Sequence, residues 1–137
     1  MPRLESRARA RALQALYAWD VRGEEGLERV AIRVWDDLGI GPEERKLASQ
    51  LVGVIIKHSQ AIDAQLADVT TNWRLERLGA IERCVLRLAA AELQRGETPP
   101  KVVIQEAVRL AERYGSAQSA RFVNGVVDAL ARRMGRL

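Results

Sequence analysis

Apolar residues recur at intervals of three and four along most of this chain, a spacing that places them on one face of a helix. The first such stretch runs from Ser6 to about Arg22. Gly23 is predicted to end it. Its apolar stripe consists of Leu13, Leu16, Tyr17 and Val21.

Two further helices are predicted in the first half. A second stretch covers residues 25–38, and its candidates for burial are Leu27, Val30, Ile32, Val34 and Trp35. Pro42 is predicted to open a third, because proline suits the first helical position and the acids that follow suit the positive end of the helix dipole. The apolar positions of this third helix keep helical spacing to about Asp68, with no proline or cap signal between, before the polar run 69–72.

The second half repeats the helical pattern without any alternating, strand-like segment. Gly79 is predicted to divide a short turn from a central helix that is apolar on more than one side and stops at Gly96. Another helix follows the prolines and ends near Tyr114, and Ser116 or Ser119 can cap the last one. The pattern therefore predicts an all-α fold of six to seven helices.

Composition adds a basic charge to this picture. The 137 residues carry a net charge of +4, and 19 of the 22 basic residues are Arg. The planar guanidinium matches phosphate oxygens and stacks on bases, so an anionic partner is favoured. A GC-rich genome or a hot habitat would also raise the arginine content without any such partner.

Catalysis, metal binding and membrane insertion find little support. With one cysteine, Cys84, and one histidine, His58, the chain has no disulfide framework and no zinc cluster. It has no nucleophile elbow and no Gly-rich phosphate loop, and its longest apolar run, 47–56, is too short to span a membrane. No signal sequence is recognised at the start. We therefore expect a cytoplasmic protein that is not an enzyme and has neither cofactor nor metal.

Four arginines lie within the first eleven residues, at positions 3, 7, 9 and 11. On a helix Arg7 and Arg11 share a face, whereas Arg9 points roughly the opposite way. Cations at a helix N-terminus oppose the dipole, so placing several there indicates a use such as contact with single-stranded RNA. The alternative is a helix start that only improves solubility.

A second candidate site lies where the last helix begins. Arg121 and Phe122 follow the polar stretch 116–119, which combines a cation, an aromatic face and small hydrogen-bonding groups. The alternative for Phe122 is an ordinary core residue.

Four blocks of sequence, in this order and spacing, resemble the transcription antitermination factor NusB family. They are residues 7–20 (RARARALQALYAWD), 81–93 (IERCVLRLAAAEL), 100–111 (PKVVIQEAVRLA) and 119–128 (SARFVNGVVD). The resemblance implies two packed three-helix bundles in one domain, with sub-bundles of about 1–70 and 71–137. It also implies antitermination, including that of ribosomal RNA synthesis, through boxA-type RNA bound together with the ribosomal small-subunit protein NusE. Other Nus factors and RNA polymerase would be indirect partners.

The same resemblance implies site residues by position. The implied RNA-binding residues are Arg7, Arg9, Arg11, Gln118, Arg121 and Phe122. The implied partner-binding residues are Tyr17, Glu76 and Glu82, although Tyr17 also fits a core position and the glutamates could simply balance nearby arginines. The chain departs from the family pattern at Glu5 and Ser6, which interrupt the basic run, and at Gln118, where relatives are often acidic.

Two other functions remain open from the sequence. NusB-like domains also occur fused to ribosomal RNA cytosine methyltransferases, so the chain could serve a separate catalytic subunit. It could instead be a purely helical interaction protein, for example a homodimer that buries its basic face.

Overall fold

A computed structural model describes residues 3–23, 25–70 and 74–137 of the chain. These residues form no strand, which confirms the all-α prediction. One 3₁₀ turn, Leu75–Arg77, precedes the fourth helix. The six α-helices are α1 (Leu4–Arg22), α2 (Leu27–Leu38), α3 (Pro42–Val69), α4 (Ala80–Arg95), α5 (Pro100–Tyr114) and α6 (Ala117–Arg133).

The helix ends follow the predicted signals closely. Gly23 ends α1 in the left-handed region, with φ of 65°, which glycine adopts without steric cost. Pro42 is at the start of α3, as expected. Ser116 caps α6 by accepting a hydrogen bond from the backbone N–H of Ser119 at 3.0 Å, so of the two predicted caps the first is used.

The helices pack as two trios, α1–α3 and α4–α6, around one continuous aliphatic core. Helix α4 also lies against α1 and α3, and nine of its residues are buried, which confirms the prediction that it is apolar on several sides. The sub-bundle boundary near residue 70 stays a prediction, because residues 71–73 lie outside the described part of the chain.

Side-chain hydrogen bonds between helices show the relative directions of the helices. Arg9 of α1 reaches Glu92 near the end of α4, and Asp20 reaches Arg83 near its beginning, so α1 and α4 are antiparallel. Ser119 of α6 bonds to Glu82 at the beginning of α4, which brings the start of α6 level with the end of α1. The start of α1 therefore lies toward the opposite end of α4.

The burial expected of Ile32 and Val21 is wrong. Ile32 is 49% exposed, because it lies two residues from the buried Val30 and thus faces the other side of α2. Val21 lies at the end of the predicted stripe but is 60% exposed. Helix α3 has the predicted length, and within it His58 has φ of −120° and ψ of 24°, which produces a kink without a proline.

Cys84 behaves as a core residue, in agreement with the sequence. Its side chain is fully buried, and burial raises the pKa of the thiol to about 12. A thiol with this pKa is a poor nucleophile at neutral pH. Among the residues described, no helix is both long and apolar enough to cross a membrane.

Candidate nucleic-acid interface

Arg7 and Arg11 lie side by side on the solvent-facing edge where α1 meets α3. Both guanidinium groups donate to the carboxylate of Glu44, at 2.7 Å from Arg7 and 3.1 Å from Arg11. The hydrogen bond from Arg7 is the main cause that lowers the pKa of Glu44 below its ordinary value. The arginine side chains remain 37% and 29% exposed, so both guanidinium groups are partly accessible from solvent.

Arg9 has a different environment, although it stands between them in the sequence. It is 6% exposed and donates to Glu92 at 2.7 Å and to Glu106 at 3.1 Å, which ties α1 to α4 and α5. Burial raises the pKa of Glu92, and the charge of Arg9 opposes that shift. This position corrects the expectation of an RNA contact at Arg9, because both carboxylates already occupy its guanidinium inside the protein.

Ser6 belongs to the buried side of the same helix. Its hydroxyl donates to Glu106, the carboxylate that also accepts from Arg9. The departure from the family's basic run at this position therefore supplies a hydrogen bond between α1 and α5.

The start of α6 faces a depression of about 270 Å³, which we call the α6 depression. Its lining consists of Arg77, Leu78, Gly79, Glu82, Ser116, Gln118, Ser119 and Phe122. Within this lining the hydroxyl of Ser119 donates to Glu82 at 2.6 Å. The sequence offered no signal for this bond, since the two residues are 37 positions apart.

Two of the three predicted RNA-binding residues of α6 line this depression. Gln118 is exposed, and Phe122 is half-buried against the core with part of its ring accessible. Arg121 is exposed but does not line the depression. At 100° per residue it lies about 60° from Gln118 on the side away from Ser119, so it flanks the row formed by Gln118 and Phe122.

The predicted partner-binding residues do not form one cluster. Tyr17 is 43% exposed, so the core alternative does not hold, and it shares its face of α1 with the exposed Val21 one turn later. Glu76 is 74% exposed on the 3₁₀ turn. Glu82 lies instead in the α6 depression beside Gln118 and Phe122.

A further ion cluster that sequence reasoning missed fixes the end of α1. Asp20 accepts from Arg83 at 2.8 Å and 2.6 Å and from Arg87 at 3.1 Å, and Arg87 also bonds to Asp63 of α3. The hydrogen bonds from Arg83 lower the pKa of Asp20 despite the opposing effect of burial. This cluster positions the face of α1 that carries Tyr17.

The two basic areas are separated along the molecule. Asp20 is level with the start of α6, and thirteen residues at 1.5 Å each place Arg7 about 20 Å away along the axis of α1. This corresponds to about six nucleotides at 3.4 Å each. One RNA segment contacting both areas must therefore extend along the protein.

Comparisons with known proteins agree with this architecture. The NusB family model matches residues 6–132. The chain belongs to the NusB family. A transcription antitermination protein NusB from Anaeromyxobacter dehalogenans is 47% identical over 129 residues, covering 92% of this chain and 89% of that protein.

Solved structures of the NusB family share the fold. T. maritima NusB superposes with a TM-score of 0.87 at 32% identity, covering 96% of this chain and 93% of the other. A chain from a crystal structure of the antitermination factors NusB and NusE in complex with double-stranded RNA gives a TM-score of 0.88 at 31% identity. That match covers 97% of this chain and 99% of the other.

Proposed function

We propose that this chain is a non-catalytic transcription antitermination factor that binds boxA-type RNA together with the ribosomal protein NusE. The observation that carries the proposal is the pair Arg7 and Arg11, held side by side at the surface of a NusB fold. Such a pair supplies salt-sensitive attraction to phosphates, while base contacts would supply sequence preference.

The exposed part of Phe122 supports a stacking contact for an unpaired base, and Arg121 and Gln118 lie on the same helix start. Gln118 is neutral, so it adds no repulsive charge beside the RNA. A cytoplasmic location follows from this function, because transcription complexes are cytoplasmic in bacteria.

The NusE contact is proposed for the face of α1 that carries Tyr17. A tyrosine and a valine exposed one turn apart offer an apolar patch, and aromatic residues are enriched at protein interfaces. Glu76 adds an exposed acid on the neighbouring turn for a basic partner. The NusE-type protein would thereby extend the RNA-binding surface.

The test is fluorescence anisotropy of a labelled single-stranded boxA-type RNA against a scrambled strand and a duplex, with and without the NusE-type protein. We expect preference for the boxA-type strand and tighter binding when the partner is added. Tyr17→Ala is expected to remove the partner's effect but to leave binding to RNA alone unchanged. Equal binding to all three RNAs, with no effect of the partner, would refute the proposal.

The homodimer alternative has a separate readout. Light scattering of the free protein, repeated after adding RNA, reports its oligomeric state under both conditions. We expect binding to RNA to need no dimer. A dimer that dissociates when RNA is added would instead indicate that self-association covers the basic surface.

A further inference from the structure

Arg77 lines the α6 depression together with Gln118 and Phe122. It is the last residue of the 3₁₀ turn, and its side chain is exposed. It also borders a second depression, which is lined by Asp20 among others, so its exposed guanidinium lies next to the surface proposed for RNA without being confined to it.

The guanidinium of Arg77 is not paired with a carboxylate in the part of the chain that the structure describes. Within residues 3–23, 25–70 and 74–137 it makes no ion pair and no side-chain hydrogen bond, whereas nearby Arg83 is held by Asp20 and three backbone carbonyls. Arg83 is thus fixed in the structure of the protein, while Arg77 keeps its five donors available for a ligand.

The carboxylate of Glu82 is the one acidic group lining the described part of the depression. It accepts the hydroxyl of Ser119, and a Cβ at position 79 would collide with its Oε2 atom, so the absence of a side chain at Gly79 makes room for it. The carboxylate is therefore hydrogen-bonded to α6 rather than paired with Arg77.

Two cations lie near the Gln118–Phe122 row. Arg77 lines the depression together with this row, and Arg121 lies beside the row on α6, outside the depression. A strand that stacks a base on Phe122 would have its backbone beside one of these two guanidinium groups, whose planar donors match a phosphodiester.

We infer that Arg77 binds a backbone phosphate of the RNA whose base contacts Phe122, which makes the α6 depression a phosphodiester site whose lining cation is Arg77. The inference rests on the proposed function and adds a residue outside the sequence blocks that resemble the family. It assigns Arg77 to affinity rather than to base preference, since phosphate contacts are independent of sequence.

The test measures the affinity of the full chain for a labelled single-stranded boxA-type RNA of about twelve nucleotides, long enough to reach both basic areas. Salt is varied, and wild type is compared with Arg77→Ala, Arg77→Lys and the control Arg29→Ala. Arg29 is an exposed cation on α2, a helix that packs against α1 and α3. Its removal changes the net charge by the same amount as the removal of Arg77.

We expect Arg77→Ala to weaken binding about fivefold at 100 mM salt and to reduce the log–log salt slope by about 0.7, the value for one single-strand phosphate contact. Arg77→Lys should keep most of the slope, and Arg29→Ala should leave it unchanged. If Arg77→Ala behaves like Arg29→Ala while loss of Arg7 and Arg11 still weakens binding, the inference is wrong and the proposed function stands. If wild type binds no RNA with or without the NusE-type protein, both are wrong.

Discussion

Two clusters of charged side chains on α1 are both built on arginine, but one lies at the surface and the other in the interior. Arg7 and Arg11 share the carboxylate of Glu44 at the surface, whereas Arg9 lies between Glu92 and Glu106 in the interior. Solvent screens the surface cluster, so its pairs contribute little to stability and its cations remain usable for binding. The interior cluster is inaccessible to RNA, and removing one member leaves buried charge without a partner.

The largest expected difference between the clusters is in stability. Arg9→Ala should lower the free energy of unfolding by about 3 to 5 kcal/mol, because two carboxylates lose their shared cation. Arg7→Ala should lower it by less than about 1 kcal/mol. Urea denaturation of the two variants at pH 7 measures both values, and equal losses would contradict the assignment of Arg9 to the interior.

Asp20 belongs to a third charged cluster on the same helix, in which it accepts hydrogen bonds from Arg83 and Arg87. Its lowered pKa means that its stabilising effect is complete above the ordinary value of 3.8 and is lost as pH falls through the lowered value. Asp20→Asn should cost about 2 kcal/mol at pH 7, the size of a charged hydrogen-bond contribution.

Denaturation of wild type and Asp20→Asn across this pH range checks the sign. The difference between the two proteins should shrink as the solution becomes more acidic. A difference that grows below pH 3.8 would mean that Asp20 is not stabilised in its charged form.

The smallest effect concerns the carboxylate of the surface cluster. Glu44→Gln should tighten RNA binding about threefold, because it removes a negative charge about 7 Å from a phosphate bound at the arginines. Glu43→Gln is the matched control, since Glu43 is exposed and changes the net charge equally. RNA titrations by anisotropy distinguish them, and equal affinities would place the phosphates elsewhere.

The local sequence pattern was sufficient to predict most of the helices, because helix caps and helical spacing depend on residues only a few positions apart. The end of α1 at Gly23 follows from the left-handed conformation that glycine adopts after a helix, and the opposite directions of Arg7 and Arg9 follow from 100° per residue. Ile32 is apolar, but it lies two positions from the buried Val30 and therefore faces away from the core.

The contacts of the candidate site were less accessible to sequence reasoning. Arg9 and Glu92 are 83 positions apart, and Glu82 and Ser119 are 37 apart, so only the packing of α4 brings each pair together. The resemblance to the NusB family implied an RNA contact for Arg9, because this residue lies in a run of arginines. The interior carboxylates that determine its role lie in other helices.

The central claim is that Arg7 and Arg11 contact RNA phosphates. Its most direct test is the salt dependence of boxA-type RNA binding for wild type and Arg7→Ala/Arg11→Ala. We predict that the double variant lowers the log–log slope by about 1.4, equal to two single-strand phosphate contacts, with about a 25-fold loss of affinity at 100 mM salt. An unchanged slope would contradict the claim and show that the RNA binds elsewhere on the protein.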